Sequence, residues 1–89
     1  MENLVKTAED VLTSCLAVKT GEEVLIITDD SRKEIGEAIY EAAGNLGCEK
    51  LLMVMKEREV SGQEPPKAIA AAMKAADVVI VPTAQSLTH

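Results

Sequence analysis

The sequence is short of the features that span membranes, grip nucleic acids or hold metals. No apolar run approaches the ~20 residues that cross a bilayer, and the opening Met1-Glu2-Asn3-Leu4-Val5-Lys6 lacks a basic stretch followed by an apolar segment. A soluble, cytoplasmic protein is the expectation. Lys and Arg number nine against fifteen Asp and Glu, for a net charge of -6. Those nine are scattered, so they build no cationic patch for phosphate backbones or anionic lipid headgroups. Neither nucleic acid nor membrane is expected as a partner. The single histidine is the final residue, His89, and there is no C-x-x-C pair. Without a His, Cys and Glu set at ligand spacing, no metal-ligating or catalytic residue is expected within the chain. The turn Thr28 to Lys33 contains no glycine and offers two carboxylates to any phosphate, which argues against NAD or FAD. Cys15 lies on an apolar helical face and Cys48 just ahead of an apolar run, so both are read as buried, reduced thiols and not as a disulfide.

What is present is a repeated alternation of helical and strand patterns within 89 residues, enough for one small α/β domain covering 1–89. From Glu2 to Ala17, Leu4, Ala8, Val11, Leu12, Cys15 and Leu16 recur at helical spacing, and Gly21 can turn the chain into a strand. Val24 to Ile27 is uninterrupted and apolar, as a strand covered on both faces of a parallel sheet must be. Thr28, Asp29 and Asp30 then leave the sheet, and Ser31 with Glu34 has the spacing of a capping box for a helix over about Ser31 to Leu46, ended by Gly47. Ile35, Ala38, Ile39, Ala42, Ala43 and Leu46 form its apolar face, with the sole aromatic, Tyr40, near its edge. A second strand, Lys50 to Met55, is again apolar throughout and is expected to be covered on both sides. Lys56 to Glu64 reads as a surface loop. Pro65-Pro66 opens a third helix through about Ala75, and Asp77 to Val81 forms the last strand before Pro82.

The sum is a three-layer α-β-α half of a doubly wound, Rossmann-like fold with three parallel strands and right-handed crossovers. Strand order 2-1-3 is preferred because the first and third strands are the most β-branched; order 3-2-1 is the alternative. Ligands of open α/β sheets lie beyond the carboxyl ends of the strands. The candidate ligand-binding residues are therefore Thr28, Asp29, Asp30 and Ser31 after the first strand, and Thr83 and Ser86 after the third. Asp29-Asp30 could hold a hard cation as in phosphoryl-accepting receiver domains, but Val81-Pro82-Thr83 stands where those domains need a further aspartate. The same carboxylates also favour a helix N-terminus through its dipole. Arg32 and Lys33 could offset that charge for an anionic ligand or simply line a solvated helix face. Ser86, Thr88 and His89 have the residue types of a nucleophilic arrangement without a positioned base, and Ser86 or Thr88 also suits a helix cap.

The string Thr20-Gly21-Glu22-Glu23-Val24-Leu25-Ile26-Ile27-Thr28-Asp29, then Glu64-Pro65-Pro66 ahead of a helix, then Ala76-Asp77-Val78-Val79-Ile80-Val81-Pro82-Thr83 and Ser86-Leu87-Thr88-His89, resembles the N-terminal region of the aminopeptidase T (leucyl aminopeptidase) family of metallopeptidases. The resemblance spans essentially the whole chain. It implies a truncated N-terminal domain of a larger, usually dimeric hydrolase that acts on peptides. A divalent metal such as zinc or cobalt would be held by Glu, His, Tyr and Asp ligands of a C-terminal catalytic domain. None of those ligands maps onto the present residues. The alternatives are the front domain of a related iron-dependent ring-cleaving dioxygenase and a small-molecule binding module.

Overall fold

In the computed structural model, residues 2–56 and 66–82 are described. Helix α1 covers Glu2–Asp10 and continues through a wider π-type segment, Val11–Cys15. Strand β1 (Glu23–Asp29), helix α2 (Lys33–Asn45), strand β2 (Glu49–Met55), helix α3 (Lys67–Ala75) and strand β3 (Val78–Ile80) follow. The sheet has the order β2-β1-β3, which excludes 3-2-1. Both pairings are parallel: Ile26 stands beside Leu52 on one side and Ile80 on the other. This is the expected three-layer α/β arrangement.

Alternation along β1 sorts its side chains into two cores. Val24 and Ile26 pack with Val5, Ala8 and Leu12 of the N-terminal helix and Ala38, Ala42 and Ala43 of α2. Leu25 and Ile27 pack on the opposite face with Ile69 of α3 and Met55 of β2. Small alanines let α2 lie close to the sheet. Each fully covered aliphatic side chain contributes about 1.5–3 kcal/mol, so β1 is the main anchor of both layers. Its N-terminal end is joined to β3 by the Asp77 carboxylate, which accepts from Glu23 N–H at 2.9 Å, while Asp77 N–H donates to Glu23 O at 3.0 Å.

The turns obey local chemistry. Gly21 (φ +89°) and Gly47 (φ +80°) take left-handed backbone where the chain enters β1 and leaves α2. Pro66, extended at φ -54° and ψ 150°, stands just before the first turn of α3. Most of the expected surface loop, residues 57–64, lies outside the described residues, as does Pro65.

Several expectations are corrected. Asp29 and Thr28 belong to β1, which runs two residues further than its apolar core. Helix α2 starts at Lys33, and its N-terminal flank carries no side-chain cap, so the Ser31 and Glu34 capping box does not form. Ile35 is 39% exposed because Gly36, one residue on, turns to the sheet. Cys15 is exposed and unpaired, not buried: the π-type segment and the left-handed Ala17 (φ +50°) swing this end of the helix off the core. Cys48 is free and half-buried. Strand β2 is covered on neither face throughout, with Leu51 and Val54 each 44% exposed. It lies at the sheet edge, where each helix reaches only part of it.

Candidate functional site

The central strand ends in two wholly buried polar residues, Thr28 and Asp29. Burying them requires partners, and the turn into α2 supplies these. Asp29 Oδ1 accepts from Ser31 N–H (3.1 Å), the Ser31 hydroxyl (2.7 Å) and Arg32 N–H (3.1 Å). Arg32 N–H also faces the Asp29 carbonyl at 3.1 Å, closing the turn. The carboxyl group thus closes the turn that leads into α2: its donors, Ser31 and Arg32, lie just ahead of the first helical residue, Lys33, and no side chain caps the helix itself.

Thr28 makes the second tie. Its hydroxyl lies 2.8 Å from the Arg32 carbonyl oxygen and 3.1 Å from the Pro82 carbonyl oxygen, so one proton is shared between the start of α2 and the end of the third strand segment. The Thr28 methyl meets α2 at Gly36, where a Cβ would come within 2.8 Å of both Thr28 Cβ and Cγ2. No side chain fits there. Gly36 was missed by sequence reasoning, although a glycine inside an apolar helical pattern is a signal of close approach, since it weakens the helix by about 1 kcal/mol relative to Ala.

The result is a hydrogen-bonded rim at the point where the chain's crossovers diverge, β1 to β2 on one face and β2 to β3 on the other. Thr28 and Asp29 set its shape from below, whereas Asp30 and Ser31 are exposed and offer the groups a ligand can touch. Thr83 and Ser86 lie outside the described residues; Pro82, the last of them, reaches the rim through Thr28. Among the described residues there is no group of three or more His, Cys, Asp and Glu able to hold a metal ion. No helix there is long and apolar enough to cross a membrane.

Two other concavities differ in chemistry. An apolar groove of about 200 Å³ runs between the first helix and α2, with Leu4, Val11, Leu16 and Ile35 on its rim and Ile80 in its wall. A polar cleft lies on the other flank of α1, where Asn45 donates to Glu9 at 2.8 Å beside Glu2, Lys6 and Glu41. Near the entry to β1, burial and then the negative charge of Glu22 push the Cys48 thiol up from its ordinary value, and its sulfur lies 3.5 Å from the Lys19 carbonyl oxygen.

No protein-family model matches the chain, and no curated protein matches it.

Proposed function

We propose that this chain is the N-terminal α/β domain of a metal-dependent aminopeptidase of the aminopeptidase T type, shaping one wall of the peptide cleft and supporting assembly. The observation that carries the reading is the ordered resemblance described above, running from Thr20 to His89. The rim at the end of β1 is compatible with it. A buried Asp29 and Thr28 fix the backbone of Asp30 and Ser31, so a substrate's polar end would meet a preset surface and not a mobile loop.

Chemistry belongs to the metal-bearing domain of the parent. A zinc- or cobalt-type ion there would supply activated water for peptide hydrolysis. The described residues contain no set that fits such an ion, so no step at the metal is assigned to them. The test is hydrolysis of leucyl p-nitroanilide in the presence of zinc or cobalt. The 89 residues alone are expected to give no turnover, and the same chain joined to its downstream catalytic domain is expected to give it. Sustained turnover by the 89 residues alone would overturn the division of labour, and a downstream sequence without Glu, His, Tyr and Asp ligands would overturn the family reading.

A further inference from the structure

We propose that the outer edge of β2 is a self-association surface, to which β2 of a second copy of the chain adds antiparallel. The strand is seven residues long and, among the described residues, pairs only with β1, so its outward row of N–H and C=O groups is available for another ladder. Its central run, Leu51 to Met55, contains no charge. Leu51 and Val54 are each 44% exposed and, at odd and even positions, project to opposite faces of the sheet. An exposed edge is normally guarded by lysine. Here Lys50 is drawn over α2, its ammonium 4.4 Å from the centre of the Tyr40 ring, and so leaves the edge unblocked.

The occupant is defined by what this edge needs: a strand apolar on both faces, with no charge at its centre. β2 itself meets the requirement. Placing Leu52 opposite Leu52 of the second copy sets Leu51 against Met53, Lys50 against Val54 and Glu49 against Met55, so no like charges face each other. On the α3 side, an apolar groove of about 310 Å³ bordered by Leu51, Met53, Ala72 and Ala75 lies beside the strand and can receive the added side chains. The two-fold axis closes the pair, giving a dimer with one continuous sheet. Strands added beside β3 would leave this edge where it is. The resemblance implies a dimer without saying where its copies meet; the new element is the contact at the β2 edge, which is argued from the strand alone.

Sedimentation of the whole chain tests it. The wild-type chain is expected to form a dimer, and Leu51→Lys and Val54→Lys each to halve the sedimenting mass with unchanged circular dichroism. Val11→Lys, on the rim of the groove between the first helix and α2, is expected to leave the dimer intact. Amide exchange in β2 of the wild type should slow on going from dilute to concentrated solution. A wild-type monomer at the highest soluble concentration, a folded edge variant that stays dimeric, or β2 exchange independent of concentration would each overturn the proposal.

Discussion

Strands β1 and β2 have the same length, seven residues, and each carries an unbroken apolar run, yet their surroundings differ sharply. Val24 to Thr28 of β1 are all fully covered or nearly so, while Leu51 and Val54 of β2 stand 44% exposed. The difference comes from position. β1 has a strand on each side and a helix on each face; β2 has one strand neighbour and, on each face, a helix that covers only part of it. An apolar run without alternation therefore identifies a strand of a parallel sheet but not whether it is central.

The sharpest way to separate the two strands is truncation. Ile26→Ala should destabilise the fold by about 2–5 kcal/mol, because it leaves a cavity between two helices and two strands, whereas Leu51→Ala should cost no more than about 1 kcal/mol. Urea unfolding of both variants, compared through their midpoints, checks the contrast. Equal losses would break it. At the carboxyl end of β1, Gly36→Ala should destabilise by about 1–3 kcal/mol through overlap with Thr28. Thr28→Ala in the same chain should recover part of that loss, since it removes the methyl and hydroxyl that the new Cβ meets. Asp29→Asn is expected to cost about 1–2 kcal/mol, as the carboxyl group that accepts from Ser31 and Arg32 in the turn ahead of α2 is replaced by an amide that brings two further donors into a buried place. Asp30→Asn, exposed on the same turn, should stay within about 0.5 kcal/mol of wild type.

The cysteines provide the smallest effects. Exposed Cys15 should be alkylated well before half-buried Cys48, whose thiol is held protonated by burial and by Glu22. Because the folded chain keeps that proton beyond the pH at which the unfolded chain releases it, the folded state binds more protons across the interval. The stabilisation is complete below the ordinary thiol value of about 8.5 and is lost as pH rises through the folded value. Thermal melts of Cys48→Ser should show a flatter alkaline slope than wild type, and identical slopes would contradict this assignment.

The parts of the fold legible in the sequence were those written in periodicity and punctuation. Unbroken apolar runs located the strands, the Ala38, Ala42 and Ala43 spacing located the face of α2, and Gly21 and Gly47 located its turns. The preference for 2-1-3 rested on β-branching, a weak guide that the sheet order bears out. What escaped depends on contacts distant in sequence. The turn into α2 is closed by Asp29, because a strand running two residues past its apolar core brings that carboxyl group beneath the turn. Gly36 and Pro82 meet through Thr28, 8 residues before the one and 54 before the other, a conjunction no local pattern encodes. Cys15 and Leu16 follow helical spacing but lose the core because Ala17 turns the chain away.

Everything proposed for the rim depends on β1 lying between the other two strands. Backbone nuclear Overhauser effects in the 89-residue chain measure this directly. Cross-strand contacts from the Ile26 region to both the Leu52 and Ile80 regions are predicted. Contacts between the Leu52 and Ile80 regions, with only one of them reaching Ile26, would contradict the account.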